Sequence, residues 1–222
     1  MNKTKIQWTE TTWNPSTGCS KVSPGCAHCY VLEITKRWPK AFPQGFDFTL
    51  HPERFDAPRH WREPRTVFVN SMSDLFHEEM APETLQRLFA TMVDCPQHTF
   101  QILTKRSSRL RELAPRLPWP PNVWIGVSIE NQGYPRRVED LRQVPAITRF
   151  ISAEPLLGPL ELNLGGIHWV IVGGESQKRC WPFDLEWARA LRDQCRAQGA
   201  AFFLKQLGGY PDKRGEMIDF PF

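Results

Sequence analysis

The stretch that decides the fold runs from residue 66 to residue 128 and holds three short apolar segments. They read TVFVN at Thr66–Asn70, TFQILT at Thr99–Thr104 and NVWIGVS at Asn122–Ser128. Such nearly continuous runs of β-branched and aromatic residues are typical of strands buried on both faces of a parallel sheet. Three similar runs follow, at Thr148–Ala153, His168–Val172 and Ala200–Leu204. Successive runs start 20 to 33 residues apart, which leaves room for a helical crossover between them.

Helix-like patterns occupy several of the remaining intervals. Pro82 and Pro135 are placed to begin helices, and Asp184 is placed to cap a third at its N-terminus. The predicted apolar faces are Tyr30, Ile34 and Trp38; Leu85, Leu88, Phe89 and Met92; Val138 and Leu141; and Ala188, Leu191 and Cys195. Strands that alternate with helices predict an α/β fold. We expect a partial or open (β/α) barrel of about six to seven βα units.

Composition sets the broad class of the protein. The chain has 222 residues, of which 41% are hydrophobic, so wholesale disorder is excluded. Its 28 basic and 24 acidic residues leave a charge of +4, too little for a purely electrostatic binder. No run of eighteen apolar residues and no apolar leader occur, so we expect a cytoplasmic protein without a membrane partner. Residues 1–222 are expected to form a single domain, with 39–65 as an insertion or a lid.

A cluster of cysteines precedes the first of these strands. Residues 13–30 read WNPSTGCSKVSPGCAHCY, which spaces Cys19, Cys26 and Cys29 as C-x6-C-x2-C. Three thiols on one loop suit an iron–sulfur cluster, which can leave one iron open to a small chelating ligand. Zinc is the alternative and needs a fourth ligand from elsewhere, such as His51, His77 or Cys180. A disulfide between two of the three is a third reading.

The strand ends supply the other candidate residues. In βα barrels the functional residues lie at the carboxyl ends of the strands. At those ends stand Asn70, Ser71, Ser73 and Asp74; Thr104, Lys105 and Arg106; Ser128, Glu130 and Asn131; Glu154; Gly173, Gly174 and Glu175; and Lys205 and Gln206. The sequence therefore predicts a polar, ligand-binding face at this edge of the sheet.

Together these motifs resemble a family. WNPSTGCSKVSPGCAHCY, FVNSMSDLF, ILTKRS, IGVSIENQ, ISAEPLLGPL and WVIVGGES look like the blocks of a three-cysteine family of uncharacterised phage and bacterial proteins. The three-cysteine loop before a βα-repeat domain is similar to the radical S-adenosylmethionine superfamily, in which spore photoproduct lyase is the nearest characterised likeness. This resemblance implies that the three cysteines hold a [4Fe–4S] cluster whose fourth iron is chelated by S-adenosylmethionine. It further implies that cluster reduction yields a 5′-deoxyadenosyl radical.

The same resemblance implies roles for several residues near the cofactor. Ser73 and Asp74, Lys105 and Ser128 match the lyase pattern after successive strands. From their strand-end positions we add Glu154 and Glu175 as candidate cofactor-binding residues. Two features depart from the superfamily: the first cysteine gap is three residues longer than usual, and Gly-Gly-Glu follows a late strand instead of the second.

These observations lead to a functional prediction with two rivals. We predict a radical S-adenosylmethionine enzyme acting on a nucleic acid or nucleotide, from the lyase likeness and from the basic segments Arg54–Arg65 and Lys105–Arg116, which have Trp61 and Trp119 nearby. A protein partner or the substrate would cover the open side of so short a barrel. The first rival is a zinc-stabilised nucleic-acid-binding protein without catalysis. The second is a βα-barrel hydrolase that uses Glu154 and Glu175.

Overall fold

The computed structural model describes residues 4, 6–176 and 180–209, and its centre is one parallel sheet. Seven strands lie side by side in the order β1-β4-β5-β6-β7-β8-β9, and every neighbouring pair is parallel. The two remaining strands, β2 and β3, form a separate antiparallel pair. The nine strands are β1 Thr11–Trp13, β2 Ser16–Thr17, β3 Thr49–Leu50, β4 Thr66–Val69, β5 Thr99–Thr104, β6 Val123–Ser128, β7 Thr148–Ala153, β8 Trp169–Gly173 and β9 Ala201–Gln206.

Five α-helices accompany the strands. They are α1 Tyr30–Arg37, α2 Pro82–Val93, α3 Ser107–Leu113, α4 Arg136–Arg142 and α5 Leu185–Gln198. Helices α2 to α4 connect successive strands from β4 to β7, and α5 connects β8 to β9. Asp184 caps α5 by accepting a hydrogen bond from the backbone N–H of Glu186. The curled parallel sheet forms a half-barrel, so the predicted partial or open (β/α) barrel is confirmed.

The outer face of the sheet carries the main hydrophobic core. Alternate residues of each strand, such as Ile102, Ile125 and Val170, are buried there against the helices. The predicted apolar faces of α2, α4 and α5 all lie in this core. Between β7 and β8 an extended segment replaces the helix and buries a row of aliphatic side chains. They are Leu156, Leu160, Leu162, Leu164 and Ile167.

Aromatic side chains close the concave face near the amino ends of the strands. The ring of Trp8 packs 4.6 Å from Phe68 and 6.3 Å from Phe150, centroid to centroid. Gly126 makes room for this floor, because a Cβ there would lie 2.5 Å from the Phe150 ring. Higher on the same face stand small residues, Ser128 and Ser152. The concave face therefore carries large aromatic side chains near the amino ends of the strands and small ones nearer the carboxyl ends.

The structure adds to the sequence-based prediction at two points, strand β1 and residues 39–65. Strand β1 was not predicted, and only the short strand β2 separates it from the cysteines. Residues 39–65 pack on the half-barrel: Phe55 is buried, and the indole N–H of Trp13 donates to the carbonyl of Arg54 at 2.8 Å. The role of this segment as an insertion or a lid stays a prediction, as does a single domain over 1–222, whose ends lie outside the described residues.

In residues 4, 6–176 and 180–209, no helix is both long enough and apolar enough to cross a membrane.

Candidate active site

The predicted site residues lie at the carboxyl edge of the half-barrel, and the cysteine loop crosses that edge. We define the cysteine loop as residues 18–30. It leaves the sheet after β1 and ends where α1 begins. Side chains from the ends of β4, β5, β6 and β8 reach up to it. Together these four contacts hold the loop that carries the three thiols.

The first contact joins the ends of β4 and β5. Asp74 is buried, and its two carboxylate oxygens accept four hydrogen bonds. The donors are the Thr104 hydroxyl, the backbone N–H groups of Phe76 and Lys105, and the Arg106 guanidinium, at 2.7 to 3.1 Å. Through these four hydrogen bonds, Asp74 holds the end of β5 next to the end of β4.

Arg106 connects this carboxylate to the cysteine loop. Its guanidinium donates to Ser20 Oγ at 2.7 Å, to the Ser20 carbonyl at 3.1 Å and to Cys19 Sγ at 3.5 Å. It also pairs with both oxygens of Glu78. Burial is the largest single effect and disfavours the charged guanidinium, but Asp74, Cys19 and Glu78 together outweigh it and raise the pKa of Arg106. Arg106 is therefore a charged clamp on the loop.

The start of the loop is held by β4 as well. The Ser73 hydroxyl donates to the Gly18 carbonyl at 2.7 Å, and the Gly18 N–H donates to Met72. Gly18 has φ +77°, and a Cβ there would lie 2.0 Å from the Asp47 carbonyl oxygen. Only glycine fits this turn. Ser73 thus holds the residue that precedes Cys19.

Glu130, at the end of β6, holds the middle of the loop. Its fully buried carboxylate accepts from the Ser23 hydroxyl at 2.5 Å and pairs with Lys105 at 3.3 Å and Arg137 at 2.8 Å. Burial would raise the pKa of Glu130, but Lys105, Arg137 and the Ser23 hydroxyl lower it below its ordinary value. A Cβ at Gly25 would lie 2.5 Å from this side chain. The loop and Glu130 are therefore in direct contact.

Glu175, after β8, holds the end of the loop. Its Oε2 atom accepts hydrogen bonds from the backbone N–H of Trp181 and from Nδ1 of His28, each at 2.9 Å. His28 lies between Cys26 and Cys29 in the sequence. The other oxygen, Oε1, is buried and has no hydrogen-bond partner among the described residues. A buried carboxylate oxygen without a donor is costly, so it is suited to receive a donor group of a ligand.

Glu154, Lys105 and Lys205 lie at the carboxyl edge of the half-barrel, between the ends of β5 and β9. We call this part of the edge the mouth. The Glu154 carboxylate pairs with Lys205 at 2.9 Å and accepts from the Ser152 hydroxyl at 3.2 Å. Lys105 reaches the Glu154 carbonyl at 3.4 Å. Ser128 is buried on the neighbouring strand, and its carbonyl accepts from Arg137 at 2.7 Å. Lys105, Ser128 and Glu154 thus line one side of the mouth.

The three thiols of the loop are free and half-buried. Burial raises the pKa of Cys19 to about 11, against the opposing effect of the Arg106 charge. Three free thiols on one loop are the kind of donors that an iron–sulfur cluster takes. Within the described ranges, however, no group of three or more His, Cys, Asp or Glu side chains is arranged to hold a metal ion, Cys19, Cys26 and Cys29 included. Of the other cysteines, Cys95 and Cys195 are buried.

Three residues of this arrangement were absent from the predicted site. Arg106 and Glu130 were noted only as polar residues at strand ends, and His28 only as part of the quoted segment 13–30. A signal was present for the first two, because Arg106 and Glu130 come two residues after β5 and β6, at the edge where the other candidates lie. Their contacts with the loop depend on tertiary structure.

The arginine-rich segments are largely occupied by contacts within the protein. Arg59 pairs with Asp56 and Asp94, and Arg111 pairs with the buried Asp140. Arg109 donates to the carbonyl of Met80 at 2.8 Å. These segments therefore offer fewer open guanidinium groups than the sequence indicated.

The chain belongs to the DUF5131 family, described as proteins of unknown function, whose model matches residues 3–218. No curated protein matches the sequence.

Two solved structures share the fold. One is a spore photoproduct lyase complexed with dinucleoside spore photoproduct, with a TM-score of 0.56 and 11% identity over 98% of this chain. The other is a mutant of spore photoproduct lyase with bound AdoMet and dinucleoside spore photoproduct, with a TM-score of 0.54 and 12% identity over 97% of this chain. The chain covers 65% of each lyase chain. At this identity the likeness establishes that the chain shares the fold of these lyase structures.

Proposed function

We propose that this member of the DUF5131 family is a radical S-adenosylmethionine enzyme that acts on a nucleic acid or a nucleotide. Cys19, Cys26 and Cys29 would hold a [4Fe–4S] cluster, and S-adenosylmethionine would bind beside it. When bound and reduced, this pair supplies a 5′-deoxyadenosyl radical that abstracts a substrate hydrogen. Everything else in such chemistry is binding, orientation and exclusion of water by the protein.

One observation carries the proposal: three free thiols lie on a loop that four strand ends of a half-barrel hold in place. Ser73 and Arg106 contact the start of the loop. Glu130 contacts its middle, and Glu175 contacts its end. A loop with only a structural role would not need charged, buried side chains from the ends of three strands. The shared fold with spore photoproduct lyase supports the same conclusion.

The proposal gives the candidate residues two kinds of role. Ser73 and Asp74 act through the loop, since their side chains bond to Gly18 and to the strand ends. Lys105, Ser128, Glu154 and Glu175 line the mouth and contact the cofactor. The buried Oε1 of Glu175 would accept from an amino or hydroxyl group of the cofactor. The ammonium groups of Lys105 and Lys205 would attract its carboxylate.

The preferred substrate class rests on the lyase likeness, because the structures that share this fold contain a dinucleoside. The half-barrel is open between β1 and β9 in the described part of the chain. A substrate strand or a partner protein would cover this side and keep water from the radical. We expect the protein to act in the cytoplasm, where thiols stay reduced.

The test is anaerobic reconstitution with iron and sulfide, followed by reduction and an assay for 5′-deoxyadenosine. We expect cluster absorbance and cofactor cleavage in the native chain. Replacement of Cys26 by Ala should abolish both, whereas Cys180→Ala, at another half-buried thiol, should leave both intact. A cluster that never cleaves the cofactor would refute the enzymatic proposal.

Metal analysis separates the rivals. About one zinc per chain without sulfide would establish the zinc-stabilised binding protein instead. Hydrolytic activity that survives Cys26→Ala and is lost in Glu154→Gln would establish the hydrolase.

A further inference from the structure

The exposed apolar side chains of the described residues are concentrated around the cysteine loop. Six large hydrophobic residues are exposed, and four of them lie in the loop, on α1 or beside His28. They are Val22, Tyr30, Trp38 and Trp181. Isolated exposed hydrophobic residues are normal, but a cluster next to a proposed site indicates an interaction surface.

Helix α1 presents an aromatic stripe to solvent. Tyr30 and Ile34 are four residues apart and Trp38 follows after four more, so the three share one face. Trp38 is 58% exposed and Tyr30 is 38% exposed, while the buried residues of α1 are Val31 and Thr35. The stripe is about 12 Å long at a rise of about 1.5 Å per residue.

Basic side chains border this stripe. Residues 21–40 contain four basic residues and one acidic residue, which gives this short segment a net +3 of the chain's +4. Lys36, Arg37 and Lys40 are exposed, and none of them forms an ion pair with a carboxylate of the described residues. The Arg37 guanidinium lies 5.8 Å from the centroid of the Trp38 ring.

Resting on the proposed function for the class of substrate, we propose that this face binds a single-stranded segment of nucleic acid. We call it the α1 face: Tyr30, Ile34 and Trp38 with Arg37 and Lys40. Exposed rings offer stacking platforms for unpaired bases, and the unpaired cations attract phosphates. The stripe matches about three to four nucleotides at about 3.4 Å each.

Two alternatives fit the α1 face less well. A duplex keeps its bases stacked on one another, so it cannot use the rings as platforms. An acidic protein would satisfy the charges, but lysine is depleted in the cores of protein interfaces. Single-stranded nucleic acid uses the rings and the cations together.

The test measures binding of a fluorescein-labelled twelve-nucleotide oligothymidylate to the full, cluster-free chain by anisotropy. Trp38→Ala should weaken binding about 5-fold to 150-fold, since each stacked base contributes about 1–3 kcal/mol. The double change Arg37→Gln and Lys40→Gln should flatten the slope of log K against log salt by about 1.4. Ile147→Ala, at a residue that is also 58% exposed, should change neither quantity.

Three further probes decide between occupants. An abasic twelve-mer and a hairpin duplex should bind more weakly than the oligothymidylate, and a poly-glutamate peptide should compete poorly. Equal binding of the abasic strand, effective competition by the peptide or no effect of Trp38→Ala would overturn the proposal. Because no cluster is needed, failure to form 5′-deoxyadenosine would refute the proposed chemistry without touching this result.

Discussion

Replacing Arg106 by Met tests whether the clamp on the cysteine loop controls the exposure of Cys19. The guanidinium is 5% exposed and contacts Asp74, Glu78, Ser20 and Cys19. Methionine preserves much of the buried volume but removes every one of these hydrogen bonds. The variant should therefore release the start of the loop and leave the strands in place.

The expected loss of stability and the expected opening of the loop follow from two different contacts of Arg106. Breaking a buried ion pair such as Arg106–Asp74 costs about 3–5 kcal/mol, since the carboxylate stays behind uncompensated. At about 2–4 °C per kcal/mol for a chain of this length, the Tm should fall by about 6–20 °C. Loss of the charged hydrogen bonds to the loop, about 1.5–3 kcal/mol, should favour an open loop by at least about 10-fold.

The assay is the rate of iodoacetamide alkylation at Cys19, followed by peptide mass spectrometry under conditions where the variant remains folded. Burial is the largest cause of the raised pKa of Cys19, about 11, so opening the loop should lower that pKa and speed alkylation. Loss of the Arg106 charge acts in the opposite direction and is the smaller effect. We expect an increase of about 10-fold or more.

The matched control is Arg111→Met. Arg111 also pairs with a buried carboxylate, that of Asp140, at 2.9 Å, and it has no contact with the cysteine loop. It should lower the Tm without speeding alkylation of Cys19. Unchanged alkylation in Arg106→Met, or an equal increase in Arg111→Met, would refute the clamp.

Two further predictions concern stability. Gly126→Ala should destabilise the protein by about 1–3 kcal/mol in urea unfolding, because its Cβ would lie 2.5 Å from the Phe150 ring; adding Phe150→Leu should recover much of the loss, and an unaltered midpoint would contradict this packing. Glu130 has a lowered pKa in the folded state, so its contribution is fully present above its ordinary value of 4.5 and disappears as pH falls through the lower folded value. The difference in unfolding free energy between native and Glu130→Gln proteins should therefore be large near neutral pH and shrink below about pH 4.5; a pH-independent difference would show that the charge of Glu130 is not involved.

The strands and helices of the barrel were accessible from sequence because each satisfies a local rule. Thr99–Thr104 is apolar along its length and is a strand with those bounds. Pro82 begins α2, as a proline in the first turn should. Strand β1 was missed because Thr11–Trp13 is three residues long and carries one large apolar side chain. Its strand character comes from pairing with β4, which no local pattern encodes.

Only part of the site could be predicted from the sequence, because several of its contacts join residues that are far apart in the chain. The cysteine spacing and the polar strand ends are local patterns, so the thiols, Glu154 and Glu175 were identified as candidates. The pairing of Arg106 with Cys19 joins residues 87 positions apart, and that of Glu130 with Ser23 joins residues 107 apart. Such contacts depend on the curvature of the sheet. The stripe of Tyr30, Ile34 and Trp38 was seen as one helical face, but its exposure required the structure.

The cysteine loop and the α1 face share one covalent boundary, which links the two proposals. Cys29 is the N-cap residue of α1, and Tyr30 begins the helix and donates its hydroxyl hydrogen to the carbonyl of Ser71. A nucleic acid strand held on α1 would therefore lie at a fixed position relative to Cys29. Radical abstraction depends on such placement, since small errors of position reduce rates steeply. The hydrogen bonds that hold the cysteine loop would thus also set the distance between the substrate strand and the proposed cluster.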